Sequence, residues 1–141
     1  MDSIQSLIPH RPPFLFVDEV IEQGDDSIIA QLKVREEAEF FKGHFPGNPI
    51  MPGVLICESI FQTGALLMRA ISDAPVDFVP IVTRINNVKL KRAVRPGDLL
   101  KMEVQLVDRA GSAWRLKGKA VAGGKTALTL DFSAMLVEDA V

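Results

Sequence analysis

From Val54 to Ile71 the chain reads VLICESIFQTGALLMRAI, a run whose only helix breaker is Gly64. A stretch this long and this apolar predicts a helix. Its apolar residues surround the axis instead of forming one stripe, which is the pattern of a helix buried on most sides. Everything else in the chain must then serve as a cover for that helix. A chain of 141 residues struggles to cover it alone, so a dimer is expected.

The flanking sequence has the right character for such a cover. IQSLI reads as a short helix stopped by Pro9. FLFVDEVIEQ and SIIAQLKV read as two strands joined by a turn at Gly24-Asp25-Asp26, an antiparallel hairpin. Residues 36–53 are dense in Gly and Pro and read as loop, and SDAPVDFVP reads as a second connection. Beyond it IVTRINNVKLKRAV alternates apolar and basic residues, as a strand with one solvated face does. LLKMEVQLVDR, SAWRLKGKAVA and KTALTLDFSAMLV supply three more strands, with turns at 95–98, 108–112 and 123–124. A long helix between an N-terminal hairpin and a C-terminal meander predicts an α+β fold, one antiparallel sheet wrapped around a central helix. No repeat or linker divides the chain, and residues 1–141 are expected to form a single domain.

Composition narrows the function. With 48% hydrophobic and 24% charged residues the chain is expected to be globular. A net charge of −2 argues against nucleic acid as the main partner. The single cysteine, Cys57, forms no internal disulfide and supplies no thiolate metal cluster, so a reducing compartment is expected. MDSIQSLIPHRPP lacks the charged and apolar regions of a signal peptide, and polar residues break the longest apolar run. The expectation is a cytoplasmic protein without membrane insertion, cofactor or metal.

Inside the predicted helix Glu58 and Gln62 stand at i and i+4 on one stripe, with Ser59 and Thr63 beside them. That stripe is either a solvated face, with Glu58 met by an arginine such as Arg11 or Arg92, or a functional group in an apolar site. A carboxylate in an apolar site has a raised pKa, as a general acid near neutral pH requires. His44 lies in a loop held by Gly43, Pro46, Gly47, Pro49, Pro52 and Gly53. It is either a loop histidine capping a carbonyl or a base whose direction the rigid loop fixes. Gly53 opens the helix, either as a plain cap or as an N–H that a ligand carbonyl can approach closely. A base, an acid and an oxyanion donor beside an apolar slot suit removal of a proton α to a carbonyl, followed by loss of a β-hydroxyl. His10, in IPHRPPF, has no carboxylate at a telling spacing and reads as structural.

GHFPGNPIMPGVLICESIFQ closely resembles the signature of the β-hydroxyacyl-acyl-carrier-protein dehydratases of the hotdog fold. IPHRPPFLFVDEV and VKLKRAVRPGDLL resemble that family's flanking segments in the same order. The resemblance implies dehydration of (3R)-hydroxyacyl thioesters of acyl carrier protein in fatty-acid or related lipid synthesis. It implies catalysis by His44 and Glu58 contributed from opposite subunits of a homodimer, and further assembly as a trimer of dimers. Gly53 matches the position whose N–H holds the thioester carbonyl, and Gln62 a glutamine that supports the carboxylate. Phe45, Gly53, Val54 and Gln62 are grouped as substrate contacts. Glutamate at 58, rather than aspartate, resembles the branch that dehydrates without isomerising. The acidic carrier protein is expected to dock on Lys89, Lys91, Arg92 and Arg95. Two alternatives stay open: a hotdog thioesterase, and a non-catalytic acyl-binding subunit.

Overall fold

The computed structural model describes residues 3–44, 46–75 and 77–138. In chain order they form α1 (Ile4–Leu7), β1 (Glu19–Gln23), β2 (Ser27–Lys33), a 3-10 turn (Glu39–Lys42), α2 (Gly53–Ile71), β3 (Phe78–Leu90), β4 (Leu99–Ala110), β5 (Ala113–Ala122) and β6 (Lys125–Glu138). The strands make one antiparallel sheet in the order β1-β2-β4-β5-β6-β3, and α2 lies against its inner face. This is the expected α+β hotdog fold.

Alternation along the strands builds the core. In β5, Trp114, Leu116, Ala120 and Ala122 are buried while their neighbours Arg115, Lys117 and Lys119 face out. From α2, Ile56, Ile60, Leu66, Leu67 and Met68 meet that inner face. Two glycines set how closely helix and sheet approach. A Cβ on Gly64 would lie 2.7 Å from Phe132 Cζ, and one on Gly118 would lie 2.4 Å from Ile60 Cγ2. By length and composition alone α2 could cross a membrane, but most of it is buried against the sheet.

The structure corrects the sequence reading at several elements. FLFVDEVIEQ is strand only from Glu19. Before that, the backbone at Phe14 and Phe16 is bound by the Gln62 side chain instead of a neighbouring strand. β3 begins at Phe78, inside the expected connection, and includes Pro80. A proline is tolerated there because β3 is an edge strand. The turn at 95–98 does not fold β3 onto β4, so the C-terminal strands are not a simple meander. Val34 N–H donates to the Asp98 carbonyl and Gly97 N–H to that of Val34, at 2.9 and 2.7 Å. These bonds dock the turn on the end of β2 and start β4 beside β2, while β3 pairs with β6.

Candidate active site

The polar stripe on α2 is not a solvated face. Ser59, Gln62 and Thr63 are fully buried. Ser59 and Thr63 return their hydroxyls to helix carbonyls, of Ile56 and Ser59 respectively. The Gln62 amide is fully engaged. Its Oε1 accepts from Phe16 N–H at 2.7 Å, and its Nε2 donates to the Phe14 carbonyl at 3.1 Å and to Glu58 Oε2 at 2.9 Å. Its side chain ties α2 to the N-terminal segment and holds the Glu58 carboxylate.

Among the described residues no arginine is paired with that carboxylate. His10 is, with Nε2 at 3.5 Å from Glu58 Oε2, and the two side chains are 22% and 20% exposed. Burial pushes the His10 imidazole below its ordinary value, opposed by the nearby Glu58 charge and aided by that of Arg11. Both residues line a cavity of about 300 Å³ whose other walls are apolar, among them Phe61, Met68, Ile81 and Phe132. His10, which reads as structural in the sequence, is the group the structure brings to this carboxylate. No spacing connects it to Glu58; Gln62, by gripping Phe14 and Phe16, carries the IPHRPPF segment to the carboxylate.

His44 stands elsewhere in the chain. Its Nδ1 lies 2.7 Å from the Ile50 carbonyl oxygen. A carbonyl only accepts, so Nδ1 carries the proton and Nε2 is the basic nitrogen. His44 lines a cavity of about 470 Å³ with Gly53, Ile56, Leu90, Lys91 and Arg92. Gly53 is the first residue of α2, ahead of the first intrahelical bonds, which Leu55 and Ile56 donate to the Pro52 carbonyl. Its N–H therefore points out of the helix end without an intrahelical acceptor. Packing does not demand a glycine here: a Cβ would meet only Leu90 Cδ2, at an ordinary 3.6 Å.

One chain thus brings His44 and Gly53 to one cavity and Glu58 and His10 to another, with the buried Gln62 bonded to Glu58. Val54 lines neither and is 76% exposed. Phe45 lies outside the described residues. The four basic residues are all exposed. Lys91 and Arg92 flank the His44 cavity, and Arg95 is held by Asn48 Oδ1 at 2.8 Å. Lys89 instead borders a hollow on the sheet with Lys117, Lys119, Glu103 and Asp131.

Comparison with known proteins gives a consistent answer. Residues 8–131 match the model of the FabA-like domain. The 3-hydroxyacyl-[acyl-carrier-protein] dehydratase FabZ of Anaeromyxobacter sp. (strain Fw109-5) is 42% identical over 142 residues, covering 98% of this chain and 90% of its own. That of Caulobacter vibrioides (strain NA1000 / CB15N) is 42% identical, covering 96% and 86%. Among solved structures, the dehydratase heterocomplex ApeI:P from Xenorhabdus doucetiae superposes with a TM-score of 0.81 over 98% of this chain and 93% of its own, at 16% identity. A hypothetical thioesterase from Streptococcus pneumoniae TIGR4, solved with coenzyme A, shares the fold at a TM-score of 0.67 and 12% identity, covering 85% of each chain. The chain belongs to the FabA-like family, alongside the FabZ 3-hydroxyacyl-[acyl-carrier-protein] dehydratases.

Proposed function

We infer that the protein converts (3R)-3-hydroxyacyl thioesters of acyl carrier protein to trans-2-enoyl thioesters, a step of fatty-acid or related lipid synthesis. The observation that carries the reading is the His44–Ile50 contact, which leaves Nε2 as the basic nitrogen of a residue lining the same cavity as Gly53. In the reaction the thioester carbonyl oxygen accepts the Gly53 N–H, and His44 Nε2 removes the α proton. The electrons of that C–H bond form the C2–C3 double bond as the C3–O bond breaks. Glu58 gives its proton to the departing hydroxyl, which leaves as water. Return of one proton from the imidazolium to the carboxylate resets the site. An N–H placed for the developing oxyanion is worth about 3 kcal/mol of barrier.

The acid and base come from different subunits. β3 is an edge strand, and its Ile81, Ile85, Val88 and Leu90 are 47–57% exposed. An apolar edge of this kind is unstable in water unless it pairs. Pairing two copies along β3 covers these residues and joins the His44 cavity of one to the Glu58 cavity of the other, since Leu90 borders the first and Ile81 and Ile85 the second. The carrier protein docks on Lys91, Arg92 and Arg95 near the cavity mouth. Residues 1–141 constitute one hotdog dehydratase domain, working in the cytoplasm as a homodimer that assembles further into a trimer of dimers.

The test supplies a (3R)-3-hydroxyacyl carrier-protein thioester and follows enoyl absorbance and free thiol together. Enoyl product without thiol is expected. Thiol without enoyl product would make the protein a thioesterase, and neither product, across acyl lengths, would leave an acyl-binding subunit.

A further inference from the structure

We propose that His10 is a positioning residue for the acid: with Gln62 it fixes Glu58 by Oε2, so that Oε1 carries the proton delivered to the leaving hydroxyl. Both contacts converge on the same oxygen. Gln62 Nε2 donates to Oε2 at 2.9 Å, and His10 Nε2 stands 3.5 Å from that same atom. A proton on Oε2 would face two nitrogen donors, so the carboxyl proton resides on Oε1.

The His10 tautomer follows from its surroundings. Its Nδ1 is buried with no hydrogen-bond partner among the described residues. A buried N–H without an acceptor is more costly than a buried lone pair, and Nε2 has a carboxylate in front of it. The neutral ring therefore holds its hydrogen on Nε2, the nitrogen 3.5 Å from Oε2, a contact longer than a formed hydrogen bond. Burial favours the neutral ring. Among the described residues lining this cavity, His10 and Glu58 are the titratable ones; β3 contributes Pro80, Ile81, Val82 and Ile85, and β6 contributes Phe132 and Ala134. From α2 itself, Cys57 adjoins Glu58 with its thiol pushed up by burial, and Arg11 is the cation felt at His10. Among the described residues no lysine or arginine lines the cavity, so the Gln62 donor, with the His10 N–H where it closes on Oε2, is what stabilises the carboxylate left after each proton transfer.

This inference rests on Glu58 being the acid of the proposed reaction. The test compares His10→Leu, His10→Gln and Glu58→Gln with the parent protein, using carrier-bound substrate and checking each fold by circular dichroism. For His10→Leu kcat should fall about tenfold with KM little altered, because the carboxyl loses its orientation. His10→Gln, which restores an N–H, should recover it. If His10→Leu does not fold, His10→Phe, closer to the ring in shape, takes its place. An unchanged kcat in the folded variant, or a His10→Gln as impaired as His10→Leu, would overturn the role of His10. Retained activity in Glu58→Gln would instead overturn the acid assignment beneath it.

Discussion

Gly118 offers a sharp test of how α2 is held against the sheet. It sits within β5, facing the helix, where an added Cβ would lie 2.4 Å from Ile60 Cγ2, 3.4 Å from Val104 Cγ2 and 3.5 Å from the Glu103 carbonyl oxygen. The second and third distances are tolerable, but the first is about 1 Å too short for carbon against carbon. Ile60 cannot swing aside. It is fully buried, and a β-branched side chain in a helix has one strongly preferred χ1. Gly118→Ala must therefore strain Ile60 or push α2 outward. Overpacking of this kind costs about 1–3 kcal/mol, which lowers the melting temperature by roughly 3–10 °C for a domain of this size. The same helix carries Glu58, and a displacement near 1 Å lowers the rate by up to about 100-fold. Thermal melting by circular dichroism reads the first effect, and dehydration assayed well below the melt reads the second. Adding Ile60→Ala removes Cγ2 and should restore activity, with a non-additive stability in the double-mutant cycle. A Gly118→Ala protein with unchanged melting and turnover would refute the close approach of helix and sheet.

Three further outcomes are expected. Gln62→Leu orphans the Phe16 N–H and the Phe14 carbonyl and releases Glu58, so urea unfolding should show a loss of about 2–4 kcal/mol, together with a drop in kcat; a loss within error would contradict the central place given to that amide. His10, held below its ordinary 6.5 by burial, takes up a proton on unfolding that the folded protein refuses. Its contribution to stability is therefore intact above that value and lost as pH falls below it. His10→Gln should flatten the change in urea midpoint between about pH 8 and about pH 5, and an identical slope would exclude the effect. Lys91→Glu with Arg92→Glu should raise KM for carrier-bound substrate about tenfold, with less effect at high salt and none on a small thioester substrate; equal effects on both substrates would argue against docking there.

Much of this fold could be read from the sequence because its largest element is unambiguous. An uninterrupted apolar helix and strands of alternating pattern leave few ways to build a core. What escaped were features decided by partners distant in the chain. The extended segment before Glu19 has strand character, yet its backbone is bound by the Gln62 side chain, which no local pattern encodes. Pro80 reads as a breaker until β3 is known to be an edge. Lys89 and Lys91 look alike along the sequence, but β3 ends at Leu90 and the chain turns to bind the Ala127 carbonyl, so the two lysines border different hollows. The chemistry divides in the same way. His44, Gly53 and Glu58 were accessible through a local motif, whereas His10 reaches Glu58 only through tertiary packing.

The proposed site takes its acid and its base from different subunits. Co-refolding equal amounts of His44→Ala and Glu58→Gln chains tests this directly, since each is expected to be inactive alone. Random pairing makes half the dimers mixed, and a mixed dimer has one site with both groups intact and one with neither. About a quarter of the parent activity should return. If acid and base acted within one chain, no arrangement of the two variants would assemble an intact site, and a mixture as inactive as its parts would contradict the account.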